Sequence, residues 1–331
     1  MRRLSFNPTH AASLLGALLL VMLAPATEAS DWTAEPGLHS AKLELKGLNG
    51  HRRKSFYYVP EDLPESNKVP LVIALHGGLS NPKNIRRRSR LNELADREKL
   101  IAVYPQGNGI FNFFLHWNAG FCCAKAQEQQ IDDPAFLVAV IDKLADALPI
   151  DQSRVYVFGF SNGAMLSYQL ASRYPDRIAA IAALSGTYGR LLPDGRVQWP
   201  ENDSASSMPT LIIHGSEDPR LPWDGGDESI DERGGIGMVP TLEIARFWAR
   251  RNRCSDGVEV PSGFSNVSLT RWLDCASGAP VDLYRLGGWG HRWAGRSVHT
   301  KADYKTVGGF ESIDVIWDFF RKHRSDQSSV R

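Results

Sequence analysis

Short apolar runs alternate with helix-like segments along most of this 331-residue chain. Runs of this kind are typical of strands that are buried on both faces of a sheet. Strands are predicted at residues 70–76, 100–104, 154–160, 178–184, 210–214 and 281–286. Helices are predicted at residues 82–98, 134–147, 163–173, 241–250 and 310–323. The alternation predicts an α/β fold with a mostly parallel central sheet and helices on both of its faces.

Two earlier stretches differ from these buried runs. Residues 42–48 and 55–59 alternate apolar and polar side chains, which predicts antiparallel strands with one covered face.

In parallel sheets, ligands bind beyond the carboxyl ends of the strands. Catalytic residues should therefore follow directly after predicted strands.

The first 29 residues have the pattern of a secretory signal peptide. Two arginines precede an apolar run over about residues 11–23, and small residues follow it. Cleavage is expected after Ala29, with Ala26 as the alternative. No later segment approaches the roughly 20 apolar residues that a membrane span needs. We expect a secreted or periplasmic protein that is not embedded in a membrane.

The rest of the chain, residues 30–331, has neither a linker nor a repeat and is expected to form a single catalytic domain. The whole chain has 38 Lys and Arg against 37 Asp and Glu. Removing the signal peptide takes away two Arg and one Glu, which leaves no net formal charge. The basic run at residues 86–90 is interpreted as a solvated helix face. Nucleic acid is not an expected partner.

The segment Gly159-Phe160-Ser161-Asn162-Gly163 matches the pattern G-x-S-x-G between a predicted strand and a predicted helix. In this setting the glycines permit a tight turn that exposes a serine hydroxyl at the start of the helix. Ser161 is therefore the candidate nucleophile. The alternative is a turn with a structural role only.

A serine hydroxyl needs a base that accepts its proton during attack on a carbonyl carbon. His291 follows the last predicted strand in a glycine-rich loop and is the candidate base. His299 is the reserve candidate.

The carboxylate that orients this base should lie between the serine and the histidine in sequence. Asp218 follows the strand at 210–214 and is the first candidate. Glu217 is the alternative, and Asp227 and Asp231 are weaker ones. A turn-forming role before a proline is the structural alternative for Asp218.

The negative oxygen that forms during attack needs backbone N–H donors. One is expected from Asn162, directly after the nucleophile. The other is expected from Gly78, in the His-Gly-Gly segment that closes the strand at 70–76. His76 is interpreted as a residue that braces this loop.

Four cysteines lie in a chain that is expected to reach an oxidising compartment. Cys254 and Cys275 flank a strand-like segment and are predicted to form a disulfide. Cys122 and Cys123 are adjacent, so they form either a vicinal disulfide or buried thiols. The spacing does not favour zinc. No metal or organic cofactor is expected for the chemistry above.

Several longer motifs resemble those of the secreted polyhydroxybutyrate depolymerase-like esterases, relatives of the feruloyl and acetylxylan esterases. The resemblance covers most of the chain after the signal peptide, and its most specific motifs are Trp117-Asn118-Ala119-Gly120-Phe121-Cys122-Cys123 and Gly290-His291-Arg292-Trp293. It implies an α/β-hydrolase fold and a serine ester hydrolase. The substrates that it implies are hydroxyalkanoate oligoesters or feruloyl and acetyl esters of the plant cell wall.

The chain departs from the family pattern at Ala294, where proline is usual, and at Pro134, where valine is common. Both changes leave the three candidate catalytic residues in place. A linker and a C-terminal polymer-binding domain, which many enzymes of solid polyester carry, are not found in this sequence. A soluble oligoester or a plant-wall ester is therefore at least as good a candidate substrate as insoluble polymer, and the sequence does not decide between them.

Aromatic side chains are concentrated in loops near the predicted site. Trp117, Trp223, Trp289 and Trp293 are predicted to contact the substrate, as flat surfaces for a phenolic acyl group or a sugar ring. They could equally form the core of the loops. The loop at residues 224–237 could be a mobile lid, and the sequence leaves this open.

Two other functions use the same residues. A noncatalytic binding protein on a hydrolase scaffold is the first, because fold does not determine function. A serine peptidase is the second, because the same triad cleaves amides. Parallel assays on ester and peptide substrates separate these possibilities.

Overall fold

A ten-stranded sheet is the centre of the computed structural model, which describes residues 32–44, 52–64, 67–110, 114–200, 206–226, 237–295 and 307–325. The strands are β1 (Gly37–Glu44), β2 (Arg52–Val59), β3 (Val69–Leu75), β4 (Ile101–Pro105), β5 (Asn108–Ile110), β6 (Phe114–His116), β7 (Ile150–Phe160), β8 (Ala180–Leu184), β9 (Arg190–Leu191), β10 (Val197–Gln198), β11 (Thr210–Gly215), β12 (Val258–Val260), β13 (Val267–Trp272) and β14 (Val281–Leu286). The helices are α1 (Pro82–Ser89), α2 (Leu91–Glu98), α3 (Ala124–Glu128), α4 (Asp133–Ala147), α5 (Asn162–Arg173), α6 (Thr241–Arg251) and α7 (Ser312–Phe320).

The strands of the large sheet lie in the order β1-β2-β4-β3-β7-β8-β11-β14-β13-β12. The six from β4 to β14 run parallel to one another. Two antiparallel strands complete each edge. The pairs β5–β6 and β9–β10 form two small antiparallel ladders outside this sheet. The predicted α/β fold with a mostly parallel sheet is confirmed.

Two apolar cores lie on opposite faces of the sheet, as β3 shows. Leu71 and Ile73 pack into one core together with residues of α4, α5 and α6. Val72 and Ala74 pack into the other core together with residues of α1, α2 and α7. Alternate side chains of a strand point to opposite faces, so an apolar run without alternation needs cover on both. Each fully buried Leu or Ile contributes roughly 1.5–3 kcal/mol to folding.

The helix predicted over residues 82–98 is two helices. Arg90 adopts a left-handed backbone with φ of +55° and separates α1 from α2. The apolar spacing continues across the break, so the sequence pattern did not reveal it. Three residues of the basic run, Arg86 to Arg88, lie in the last turn of α1, where positive charge is favourable for the helix dipole.

The strands β12 and β13 lie in the strand-like segment between Cys254 and Cys275, whereas the sequence did not indicate the pair β5–β6. Within the described ranges, no helix combines the length and apolarity that crossing a bilayer requires. The signal peptide lies outside the described residues, so it and the domain boundary at residue 30 stay predictions.

Candidate active site

Ser161 occupies the tight turn between β7 and α5. Its backbone has φ of +55° and ψ of −122°, a strained combination for a residue with a side chain. Two glycines make the turn possible. A Cβ atom on Gly159 would overlap the backbone of Gly163, and one on Gly163 would overlap the carbonyl of Leu75 at the end of β3. The close approach of three backbone segments therefore explains the two glycines of the motif.

His291 links the serine to a buried carboxylate. Its Nε2 lies 3.0 Å from the Ser161 Oγ, and its Nδ1 lies 2.7 Å from the Asp218 Oδ2. With Nδ1–H donating to the carboxylate, Nε2 is left as the acceptor for the serine hydroxyl. The Phe160 ring packs at 5.1 Å from the imidazole. The structure brings the three predicted residues together at the carboxyl ends of the parallel strands. The first and the last of them, Ser161 and His291, are 130 positions apart in sequence.

Asp218 is buried in the loop after β11. Its Oδ1 accepts hydrogen bonds from the backbone N–H groups of Arg220 and Leu221, both at 2.9 Å. Burial raises the pKa of Asp218, but the hydrogen bonds and the charge of His291 outweigh it, so the net shift of this pKa is downward. The alternative carboxylate, Glu217, is exposed. Asp227, Asp231 and His299 lie outside the described residues.

His214 lies behind this carboxylate and was not singled out from the sequence. Its Nε2–H donates to the carbonyl of Leu221 at 2.8 Å, and the same nitrogen lies 3.6 Å from the Asp218 Oδ2. Burial lowers the pKa of His214. The neutral ring therefore braces the loop that carries Asp218.

The two predicted oxyanion donors belong to residues that are neighbours in space. A Cβ atom on Gly78 would lie 3.6 Å from the Asn162 Cβ and 3.1 Å from the ring of His116. Asn162 is buried and is the first residue of α5. A side chain at position 78 would therefore crowd the ring of His116, while its Cβ would be at ordinary contact distance from Asn162.

The family model described as "Phospholipase/Carboxylesterase" matches residues 121–230, which include both Ser161 and Asp218. "Probable feruloyl esterase C" of Aspergillus niger is 27% identical over 278 residues, which cover 82% of this chain and 84% of that protein. "Poly(3-hydroxyalkanoate) depolymerase C" of Paucimonas lemoignei is 31% identical over 143 residues, which cover 42% of this chain and a third of that protein.

Among solved structures, the acetyl xylan esterase of Aspergillus awamori matches with a TM-score of 0.55 and 17% identity, over 85% of this chain and 98% of that one. At this identity the similarity shows the fold. The chain is an esterase of the α/β-hydrolase fold. The family resemblance read from its motifs is thereby confirmed.

In this esterase Trp117 connects the two sides of the predicted oxyanion region. Its backbone N–H donates to the Asn162 Oδ1 at 2.7 Å, and the Asn162 Nδ2 donates to the Trp117 carbonyl at 3.1 Å. Its indole N–H donates to the carbonyl of His76 at 2.8 Å. Since His76 directly precedes Gly77 and Gly78, one tryptophan holds both loops of the region.

His76 braces its loop as a neutral ring. Its Nε2 accepts a hydrogen bond from the Gly107 N–H at 3.0 Å, so Nδ1 carries the proton and donates to the Gly77 carbonyl at 2.8 Å. Burial lowers the pKa of His76 to about 3. This geometry agrees with the bracing role predicted for it.

A buried ion pair anchors the Trp117 segment, and no sequence motif pointed to it. The Arg53 Nη1 lies 2.5 Å from the Asp133 Oδ1, and the Asp133 Oδ2 accepts the Asn118 N–H at 2.6 Å. The guanidinium also lies over the ring of Phe136, 3.8 Å from its centroid. Burial raises the pKa of Asp133, and Arg53 and the Asn118 N–H oppose it without reversing the direction.

Three of the four tryptophans predicted to contact substrate are interior residues. Trp117, Trp289 and Trp293 are each no more than 1% exposed, so they have no free face for a ligand. The prediction is corrected for these three, because aromatic residues in loops here form the loop core. Trp223 is half-buried and keeps some exposed surface. Its role in substrate binding stays a prediction.

Both cysteine pairs are bonded. Cys254 pairs with Cys275, as predicted, and Cys122 is joined to Cys123, which is the first of the two alternatives. The Sγ of Cys123 lies 3.6 Å from the Asn162 Nδ2. In the described part of the chain, no cluster of three or more His, Cys, Asp or Glu side chains could hold a metal ion.

Proposed function

We propose that this protein is a serine carboxylic ester hydrolase that works through an acyl-enzyme, with Ser161 as nucleophile, His291 as general base and Asp218 as the carboxylate that orients it. One observation carries the proposal. The imidazole lies 3.0 Å from the serine hydroxyl with one nitrogen while the other nitrogen is held at 2.7 Å by a buried carboxylate.

The first half-reaction forms the acyl-enzyme. As the Ser161 Oγ attacks the ester carbonyl carbon, His291 Nε2 takes the hydroxyl proton, and Asp218 stabilises the imidazolium that results. The backbone N–H groups of Asn162 and Gly78 stabilise the negative oxygen of the tetrahedral intermediate. The intermediate collapses when the C–O bond to the alcohol breaks and His291 returns the proton to the departing alkoxide.

The second half-reaction releases the acid. Water attacks the acyl-enzyme carbonyl and gives its proton to His291 Nε2, and the tetrahedral intermediate then expels the Ser161 oxygen, which takes the proton back. The strained backbone at Ser161 supports this function, because strain of this kind is found where a nucleophile must be held exposed.

The substrates that we propose are hydroxyalkanoate oligoesters or feruloyl and acetyl esters linked to polysaccharides. The names of relatives and of a structural neighbour support these ester classes. Export to the periplasm or the medium is proposed as well. The pattern of the first 29 residues and the Cys254–Cys275 disulfide support it.

The test is the Ser161→Ala variant, with Ser255→Ala, at an exposed position in the loop after α6, as the matched control. We expect Ser161→Ala to lower kcat on p-nitrophenyl butyrate by about 10⁴-fold or more while its thermal unfolding midpoint stays close to that of the control. A fluorophosphonate probe should label the wild type on Ser161, as peptide mass spectrometry can show.

Assays with ester and peptide substrates separate this function from those of a peptidase and a noncatalytic binding protein. Turnover by Ser161→Ala at the wild-type rate would overturn the assignment of the nucleophile. Cleavage of peptides in preference to esters would identify a peptidase, and binding of esters without turnover by the wild type would identify a noncatalytic protein. Methyl ferulate, acetylated xylan and hydroxybutyrate oligomers, assayed side by side, rank the substrate classes.

A further inference from the structure

We propose that the Cys122–Cys123 disulfide is a positioning group for the reaction. It holds the side chain of Asn162, the residue whose backbone N–H is the proposed donor to the negative oxygen. Reduction of this disulfide should therefore slow catalysis. This inference rests on the proposed function, and it gives the two adjacent cysteines a role in it.

The Asn162 amide is held at both of its ends by the segment that runs from Trp117 to Cys123. Its Oδ1 accepts the Trp117 N–H at 2.7 Å, and its Nδ2 donates to the Trp117 carbonyl at 3.1 Å. The same Nδ2 lies 3.6 Å from the Cys123 Sγ, a weak acceptor. An amide nitrogen carries two hydrogens, so the sulfur atom takes the one that Trp117 leaves. The disulfide therefore completes the fixation of this side chain.

The position of Asn162 makes this fixation matter for the reaction. The residue follows Ser161 directly and is the first residue of α5. It is only 3% exposed, so water has little access to replace a lost contact. An oxyanion donor must lie about 2.7–3.1 Å from the oxygen, so a small displacement of this peptide weakens the interaction. A loosened Asn162 side chain should therefore lower kcat.

The disulfide also packs where the segments that carry the catalytic residues meet. The two cysteines are half-buried against an apolar cluster formed by Ala119, Met165, Leu221 and Met238. Met165 belongs to α5, the helix that follows the nucleophile. The Leu221 N–H donates to the Asp218 Oδ1 at 2.9 Å. The cluster therefore connects the disulfide with the nucleophile helix and with the loop of the carboxylate.

Reduction breaks this arrangement at one covalent bond. Both cysteines keep some exposed surface, so a small dithiol can reach them. One thiolate of dithiothreitol attacks a sulfur atom and forms a mixed disulfide, and its second thiolate then closes a cyclic disulfide and leaves. Two electrons and two protons pass to the cysteine pair, which becomes two thiols. Two thiols need more room than a disulfide, so we expect the Cys123 sulfur to leave its place beside the Asn162 amide.

The Cys254–Cys275 disulfide is an internal control, because it lies at the opposite ends of the strands. Its cysteines follow α6 and β13. The last residue of β13, Trp272, pairs with Val281 at the start of β14. The catalytic residues follow the carboxyl ends of the parallel strands instead. Reduction of this second bond should therefore leave the triad in place.

The experiment treats the wild type with a series of dithiothreitol concentrations, removes the reagent by gel filtration under nitrogen, and measures kcat and KM on p-nitrophenyl butyrate. A parallel sample is alkylated with N-ethylmaleimide, and peptide mass spectrometry gives the reduced fraction of each pair. We expect kcat to fall by about threefold to tenfold as Cys122–Cys123 is reduced, with KM changing by less than about twofold. Re-oxidation with oxidised glutathione should restore kcat.

Two double variants separate the two disulfides. Cys254→Ser/Cys275→Ser should keep the wild-type kcat and show the same loss on reduction. Cys122→Ser/Cys123→Ser should have the lowered kcat before treatment, and dithiothreitol should lower it no further. Thermal unfolding of each variant identifies losses that come from misfolding, and the titration of the wild type does not depend on either variant.

The Asn162→Ala variant tests whether the disulfide acts through this side chain. In this variant the sulfur atom has no amide to hold, so reduction should lower kcat by less than about 1.5-fold. A loss as large as that of the wild type would overturn the positioning role, because the disulfide would then act elsewhere. Complete reduction of Cys122–Cys123 in the wild type without a change in kcat, or with a change in KM only, would overturn it as well.

The two proposals fail in different ways. If Ser161→Ala turns over ester at the wild-type rate, the proposed function is wrong. If Ser161→Ala is inactive while the oxidised and reduced wild type have equal kcat, the proposed function stands and the role of the disulfide is wrong.

Discussion

Asn162 and Trp117 exchange two hydrogen bonds, from the Trp117 N–H to the Asn162 Oδ1 at 2.7 Å and from the Asn162 Nδ2 to the Trp117 carbonyl at 3.1 Å. The two residues are 45 positions apart in sequence. Both are buried, so water does not compete for these bonds. The side chain that follows Ser161, the proposed nucleophile, is thus fixed on the same backbone segment that supports the His76 loop.

Replacing this side chain tests whether it positions the oxyanion donor. Asn162→Ala keeps the backbone N–H but removes both hydrogen bonds to Trp117. We expect kcat to fall by about tenfold, less than the 10²–10³-fold expected for complete loss of one donor, and KM to change by less than about threefold. Steady-state kinetics on a p-nitrophenyl ester measure the split. An unchanged kcat, or a loss confined to KM, would contradict this role.

Asp218→Asn tests the orientation of the imidazole. The amide removes the negative charge and offers Nδ2–H₂ or a weaker acceptor to His291, so the tautomer that accepts the serine proton is no longer favoured. Because the pKa of Asp218 is shifted downward, the wild-type carboxylate stays ionised as the solution is acidified.

We expect kcat of Asp218→Asn to fall by about 10³–10⁴-fold. The control is Glu217→Gln, which neutralises the exposed neighbouring carboxylate. It should retain kcat within about twofold, because surface substitutions of this kind have small effects. Equal losses in both variants would show that the two carboxylates are not distinguished as proposed.

The sequence predicts the location of the triad because a topological rule applies to it. Residues that follow parallel strands meet at one edge, so Ser161, Asp218 and His291 could be placed together without knowledge of any contact. The choice between Asp218 and Glu217 depends on which side chain the loop turns inward, and the sequence left it open.

The sequence does not predict which side chains of the loops are buried. Trp289 and Trp293 look like binding aromatics when only their position after β14 is known. Whether a loop indole faces a ligand or packs beneath its own loop depends on tertiary contacts. Arg53 and Asp133 are 80 positions apart, and no periodic pattern relates them.

The buried pair of Arg53 and Asp133 should matter for stability. Arg53→Met leaves a buried carboxylate without its counter-charge, a change that typically costs about 3–5 kcal/mol. We expect this loss in the free energy of unfolding measured with urea. Arg321→Met is the matched control, since Arg321 forms an exposed pair with Asp318 at 3.0 Å and should change stability by no more than about 1 kcal/mol.

The Arg53→Met/Asp133→Leu double variant refines this test. Removing both charges should recover part of the loss, because a buried carboxylate is then no longer unpaired. The Asn118 N–H would still lack its acceptor, so full recovery is not expected. A loss in Arg53→Met no larger than in Arg321→Met would mean that the pair contributes little.

The lowered pKa of His76 predicts how the free energy of unfolding depends on pH. Its pKa is about 3 in the folded protein, against an ordinary value of 6.5, because burial disfavours the charged ring. Between these values the unfolded chain binds a proton that the folded protein does not, so stability falls as pH falls, by up to about 1.4 kcal/mol per pH unit. The lowered pKa values of His214 and His323 act in the same direction.

The His76→Gln variant lacks one of the groups that bind a proton in the unfolded chain but not in the folded protein. Near pH 5, about midway between the two pKa values, we expect its free energy of unfolding to change with pH less steeply than that of the wild type, by roughly 1.4 kcal/mol per pH unit. Urea unfolding at a series of pH values measures the slope within each variant, so a lower stability of the variant at neutral pH does not affect the comparison. Equal slopes would mean that His76 is protonated, or exposed to solvent, in the folded protein.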